Sequence, residues 1–283
     1  MRTTTRTLLT STAVTLCLAA PALAETLTVT EASEAAITDA LAAAAASDGA
    51  STVVLAFEGN VEIAGTLAYD GQSALALIGN GQTISTAENV TLLAATQGAD
   101  MHVAGLTLAG PGGWTVENRG DTDGAAGKGI FVDLRDDQTG TVSFVAEDVT
   151  LSGVAGYGIH LSDCTLADDC GGGQTGDGDG SEAGISVTLR NVTIDDVGNG
   201  TFDGDGLRVD ERGQGAIAAM ITGSTVSRAG ADGIELDEGG AGDNTAVVID
   251  TSLVENGAYC APALFEDSLP DPDEVEFDEG ETA

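Results

Sequence analysis

Arg208, Asp210, Glu235 and Asp237 occupy matching places in two copies of one string, FDGDGLRVDERGQG at 202–215 and ADGIELDEGGAGDN at 231–244. Asp205 precedes Asp232 by 27 residues, and both copies carry D-G-apolar-charged-apolar-D-E. Related pentapeptides lie upstream, so GIFVD (129–133), GIHLS (158–162), GLRVD (206–210) and GIELD (233–237) align. Side chains alternate between the two faces of a strand. Ile130, Ile159, Leu207 and Ile234, with Val132, Leu161, Val209 and Leu236, therefore point inward. Two columns point outward: Phe131, His160, Arg208, Glu235, and beside it Asp133, Ser162, Asp210, Asp237. Asp210, Glu235 and Asp237 offer hard oxygen ligands to calcium, and His160 has the chemistry of an acid or base near neutral pH. The same columns equally suit a solvated face in which Arg208 offsets Asp210 and Glu235 across neighbouring strands.

Other strings weigh less. GDGDGSE (176–182), GGAGDNTAV (239–247) and DGDGLRVDE (203–211) resemble calcium loops. Only the third has acids on both a turn and a strand, and an acidic glycine turn is more often just a turn. There is no G-x-S-x-G, H-E-x-x-H or phosphate-binding loop. His102 reads as an outward polar residue. Trp114, the sole tryptophan, follows a Gly-Pro-Gly-Gly turn and suits either a sugar-stacking platform or a half-buried loop anchor.

The elements that would carry these residues repeat. LALIGNGQTI (75–84), MHVAGLTLAG (101–110), FVAEDVTLSG (144–153), VTLRNVTIDD (187–196), AAMITGSTVS (218–227) and VVIDTSLVEN (247–256) each read as an apolar strand, a small or polar corner and a second short strand. The second strands end on Ile84, Leu108, Leu151, Ile194, Val226 and Val254. GSTVSRAG (223–230) is echoed by TSLVENGA (251–258) at an offset of 28. Such self-similarity predicts a solenoid, whose repeats bury their apolar faces against their neighbours. A sandwich of hairpins would place two-residue NG or DG turns between alternating strands, and these are missing. TLTVT (26–30) reads as a strand, and EASEAAITDALAAAAA (31–46) as a helix with Thr30 as its N-cap. STVVLAFEGNVEI follows as two more strands.

A strand, a helix and an apolar strand ending in a glycine turn is similar to the start of right-handed parallel β-helix proteins of the pectin-lyase-like superfamily. The resemblance covers residues 26 to 260 in pattern. It implies an all-β, right-handed parallel β-helix with a short N-terminal helix capping the open end of the first coil. It also implies polysaccharide binding along an outer sheet face. Lyases of the superfamily use a basic residue beside a cation-neutralised carboxylate, a part that Arg208 could play among Asp210, Glu235 and Asp237, with His160 as acid or base. Asp133 and Trp114 are the candidates to contact sugar. No DPHE-type motif follows YGIHL, and no GHG and RIK pair occurs, so no particular enzyme family is matched.

Residues 1–24 read as a signal peptide, with Arg2 and Arg6, an apolar run and Ala22-Leu23-Ala24 ahead of Glu25. The chain is therefore expected to be exported to the periplasm or beyond. No later stretch is long and apolar enough to span a bilayer. The formal net charge is −37, and loss of the two leader arginines leaves seven basic residues against 46 acidic, a net −39. That field repels nucleic acid and disfavours polyanions unless divalent cations bridge them; it also suits a surface adapted to salt. Residues 25–260 form the expected domain, with an acidic glycine-rich loop at 162–184. Cys164 and Cys170 are close enough to staple that loop in an oxidising compartment, which leaves Cys260 over. Residues 261–283, rich in acids and proline, read as a disordered tail. The leading expectation for function is an exported module that meets glycans or cell-envelope partners, with calcium as a possible aid. The alternatives are a polysaccharide lyase centred on Arg208, or part of an adhesin.

Overall fold

The computed structural model describes residues 24–118, 126–163, 180–201, 204–239 and 242–257, and the backbone of 275–277. Among them the chain is mostly β, in two parallel sheets that curl around one apolar interior, with a single helix. The arrangement is solenoid-like and compatible with a β-helix. Each full turn lays one strand in a long ladder, a short strand beside it, and a third in a separate seven-stranded sheet.

The long ladder runs through β1 (Glu25–Val29), β2 (Ser51–Leu55), β5 (Leu75–Thr86), β7 (Met101–Ala109), β9 (Thr141–Glu147), β12 (Gly184–Arg190), β15 (Ile217–Thr222) and β18 (Asn244–Ile249). The short companion strands are β3 (Asn60–Ile63), β10 (Thr150–Ser152), β13 (Thr193–Asp195), β16 (Thr225–Ser227) and β19 (Ser252–Val254). β5 and β7 are long enough to run through both ladders, which joins the two into one sheet. Register stacks like residues. Val53, Leu77, Val103, Ala146, Leu189 and Ile221 form one buried column, and Ile84, Leu108, Leu151, Ile194 and Val226 form another.

The corners explain why the glycine, asparagine and aspartate positions recur. Asp148, Asn191, Gly223 and Asp250 each sit at positive φ between a long strand and its short companion, and Gly105 has a positive φ within β7. Gly153, Asp196, Arg228 and Glu255 do the same after the companion. A left-handed residue breaks the strand direction in one step and costs a non-glycine residue about 1–2 kcal/mol. Coil-to-coil backbone bonds offset this cost, as in Asp148 N to Arg190 O and Asn191 N to Thr222 O, both at 3.0 Å.

Two expectations need correction. The helix α1 spans Glu34–Ala45, and its N-cap is Ser33, whose hydroxyl accepts from Ala36 N at 3.2 Å. Thr30 lies three residues too early to reach the first free amides. α1 buries Ile37, Leu41 and Ala44 on the first strands, and the Glu34 carboxylate accepts from Ala64 N and Gly65 N at 3.0 Å. It thereby shields that end of the stack. At the other end, Val226 pairs with Leu253, so the repeat offset there is 27. Val254 is 44% exposed, because a one-residue slip moves a side chain to the opposite face.

The third sheet holds β4 (Leu67–Tyr69), β6 (Leu93–Ala95), β8 (Ile130–Asp133), β11 (Ile159–Ser162), β14 (Leu207–Glu211) and β17 (Ile234–Glu238). β20 (Val275–Phe277), inside the stretch expected as a tail, pairs antiparallel with β17. Glycine precedes four of these strands because the chain passes close beneath its neighbour. A Cβ on Gly158 would lie 2.5 Å from Gly206 O and 2.7 Å from Ile194 Cγ2. No helix of the described residues is long and apolar enough to cross a membrane.

Candidate functional site

Strands β8, β11, β14 and β17 pair in the register the pentapeptides suggest, with His160 beside both Phe131 and Arg208, and Arg208 beside Glu235. The inward residues of these strands are fully buried. The outward columns are buried too, which the alternation pattern does not foretell. Phe131, His160, Asp210, Glu235 and Asp237 are all less than a tenth exposed, and the Arg208 side chain is 11% exposed. A solvated charged face is therefore not what the chain builds.

Charge pairing makes the burial tolerable. Arg208 Nε donates to Asp210 Oδ1 at 2.7 Å and Nη2 to Asp237 Oδ2 at 2.9 Å. Nη1 pairs with Glu235 Oε2 and lies 3.6 Å from Asp205 Oδ2. Arg212 binds Asp237 as well and reaches Asp210 at 3.7 Å. Burial disfavours the Arg208 charge, but Asp210, Glu235 and Asp205 outweigh it and hold its pKa well above that of a free guanidinium. Asp210 keeps its charge against burial because Arg208 and His160 hold its pKa well below the usual carboxylate range. Asp237 moves the other way, raised by burial against the pull of both arginines. Arg208 is thus a permanent cation enclosed by carboxylates, unfit to accept a proton.

His160 donates or accepts through Nε2 to Asp210 Oδ2 at 2.6 Å, and its ring lies 4.6 Å from Tyr157 and 5.3 Å from Phe131. Burial pushes it down to about 4, so the imidazole is neutral at pH 7. With Asp210 ionised, the Nε2–H tautomer is favoured, which leaves Nδ1 as a buried acceptor without a partner. Lys128, which the sequence reading passed over, lies 6% exposed at the mouth of β8, with Nζ 4.2 Å above the Phe131 ring and 5.4 Å from that of Tyr157. Burial brings it down to about 8. Asp133, half-buried, is pushed up by burial to about 6. The signal for Lys128 was available: it is the one cation immediately before a glycine of the four pentapeptides.

The carboxylates expected to hold calcium do not form an open ligand set, since Asp210 and Asp237 serve the two arginines and Glu235 serves Arg208. The acids whose ligand atoms do come within 4.8 Å of one another are Asp205, Asp232 and Glu235. Asp205 and Asp232 are the paired aspartates of the 27-residue repeat, but Asp205 Oδ1 accepts from Asp232 N at 2.9 Å and Arg208 stands between Asp205 and Glu235. A guanidinium already occupies the place of a cation.

Further along the same strands lies a feature that sequence reasoning missed. Asp163, Glu211 and Glu238 follow the outward columns by one residue and so return to the coil interior, each no more than 1% exposed. They tie down the turns into the next strand. Asp163 accepts from Ser181 N and Arg212 N at 2.8 Å, and Glu211 Oε1 accepts from Gly213 N at 3.1 Å and Gly215 N at 2.9 Å. Burial, helped by the hydrogen bond that the protonated Glu211 carboxyl donates to the neighbouring Glu238, pushes Glu211 up to about 8.

Trp114 lies away from this cluster. It is half-buried, and Nε1 donates to Gly153 O at 3.0 Å, which anchors its loop on a corner. His102 sits on the other sheet, 3.2 Å from Glu147, which also binds Arg190. Cys164, Cys170 and Cys260, most of the 162–184 loop and the leader lie outside the described residues. No protein-family model, curated protein or solved structure matches the chain.

Proposed function

We propose that this chain is a right-handed parallel β-helix of the pectin-lyase-like kind, exported, and that it acts as a glycan- or cell-envelope-binding module without turnover at Arg208. The observation that carries this reading is the state of Arg208. A lyase base must present a free lone pair to the sugar. Arg208 instead faces four carboxylates, none farther than 3.6 Å, that fix it as a counter-ion of the sheet. The rigid outward face remains, with aromatic, cationic and acceptor groups already in place, and rigid polar-aromatic surfaces favour binding because little is left to order.

The test is incubation of residues 25–283 with neutral and uronate polysaccharides, with and without calcium. Reducing ends and unsaturated products are followed beside retention on immobilised glycan. Binding without product supports the module. Product that vanishes in Arg208→Ala, in a variant that keeps its fold, restores the lyase reading.

A further inference from the structure

We infer that Lys128, His160 and Asp133, around the rings of Phe131 and Tyr157, form a subsite for an uncharged sugar unit; this rests on the glycan-binding reading above. Two buried polar atoms here, His160 Nδ1 and Asp133 Oδ1, have no protein partner. Lys128 Nζ lies over the faces of Phe131 and Tyr157, where the charges of Asp210 and Asp133 also pull on it. Buried polar groups are almost always satisfied, so two orphan acceptors beside one ammonium point to something that satisfies them.

The donors and acceptors specify the ligand. At neutral pH Lys128 is mostly an ammonium donor, because its pKa has fallen only to about 8. The neutral imidazole, its Nε2–H given to Asp210, offers Nδ1 as an acceptor. Asp133, at about 6, is mostly a carboxylate and accepts as well. A hydroxyl group both donates and accepts, so a sugar carrying several hydroxyls answers all three atoms. Tyr157 and Asp133, both half-buried, form the rim.

A uronate fits badly. Its carboxylate would meet Asp133 and the Nδ1 lone pair, with Asp136 next to Asp133 and the Asp210, Glu235 and Asp237 carboxylates beyond. Among the described residues Lys128 is the cation that lies over the two rings, and Asp133 already pulls on it. Arg208 is spent on its own carboxylates. A metal ion is disfavoured by the ammonium itself.

The experiment is calorimetric titration of residues 25–283 at pH 7 with glucose-, mannose-, xylose- and galactose-based tetrasaccharides, and with tetragalacturonate and tetramannuronate. Lys128→Met and His160→Phe are compared with His102→Phe on the opposite sheet, with melting temperature as the check on folding. The expected result is that a neutral tetrasaccharide binds, that Lys128→Met and His160→Phe each weaken it at least tenfold, and that His102→Phe changes nothing. If His160→Phe fails to fold, Lys128→Met decides, since among the described residues its Nζ makes no hydrogen bond or close ion pair that the variant would lose. Neutral binding that ignores Lys128→Met overturns the subsite and leaves the glycan module standing. A preference for uronates overturns the uncharged-sugar assignment, again with the module intact. No binding by any glycan overturns both.

Discussion

Glu211 gives the sharpest test of the buried carboxyl column. Its side chain points into the coil beside Glu238 and Asp163, with Arg212 reaching the column only through its backbone amide. Burial and the Glu238 hydrogen bond raise it from 4.5 to about 8. A raised carboxyl stabilises the fold fully below its unfolded pKa, and this contribution is lost as pH climbs through the folded value. The whole rise is worth at most about 5 kcal/mol at about 1.4 kcal/mol per tenfold change in proton affinity. Between pH 6.5 and 8 two other groups oppose it. His160, depressed to about 4 in the fold, is still losing its proton in the unfolded chain at pH 6.5, and Lys128, depressed to about 8, begins to lose its proton in the fold. Both raise stability as pH climbs, by roughly 1 kcal/mol together, while Asp133, near 6, adds little. Over that interval one proton at Glu211 is worth about 2 kcal/mol.

A domain of this size shifts its melting temperature by about 2–4 °C per kcal/mol. The net fall is about 1 kcal/mol, so wild type should melt about 2–4 °C lower at pH 8 than at pH 6.5. Glu211→Gln keeps an acceptor for Gly213 N and Gly215 N, can donate to Glu238, and carries no proton to lose. Its melting temperature should not fall over the interval and should exceed wild type at pH 8. Calorimetry of both proteins at the two pH values measures this. A variant whose melting temperature changes from pH 6.5 to 8 in parallel with wild type would refute a neutral Glu211.

Other perturbations test other contacts. Arg208→Met should cost about 3–5 kcal/mol in urea denaturation, because it strands buried carboxylates that one guanidinium had balanced. Ser33→Ala should lower stability by about 0.5–2 kcal/mol, while Thr30→Ala should leave it unchanged, and the pair read together locate the cap. Leu253→Asp should melt the last coil, seen as loss of amide protection in β19, whereas Val254→Asp on the exposed face should cost little. Gly158→Ala should destabilise by several kcal/mol in the same urea assay, since its new methyl would press on the Gly206 carbonyl and Ile194.

How far the sequence could be read followed from how local each determinant is. The solenoid-like stacking was legible because in-register pairing puts residues 24–43 apart in contact, and such pairing leaves matching apolar strings and corners. The register of β8, β11, β14 and β17 was legible for the same reason. The sequence does not separate Thr30 from Ser33, because either hydroxyl suits a cap and only the backbone says which amides are free. The slip at Val254 came from aligning TSLVENGA on its polar residues, when the column is set by which apolar side chain reaches the interior. Lys128 is easy to pass over because it lies just outside the strand it serves, and only its place before Gly129 marks it.

Burial is what separates the pattern from the chemistry. Alternation told which residues share a face, but it could not tell that the face is shut from water. Exposed, Arg208 and its acids would be a screened surface network worth little. Buried, the same residues must neutralise one another, and four carboxylates fix the arginine for good. That closure removes the base a lyase would need. One strand over, the same closure leaves His160 and Asp133, beside Lys128, with polar atoms that no protein group answers. The charged columns thus split into a spent half, which holds the sheet, and an unspent half, which is where a ligand should be sought.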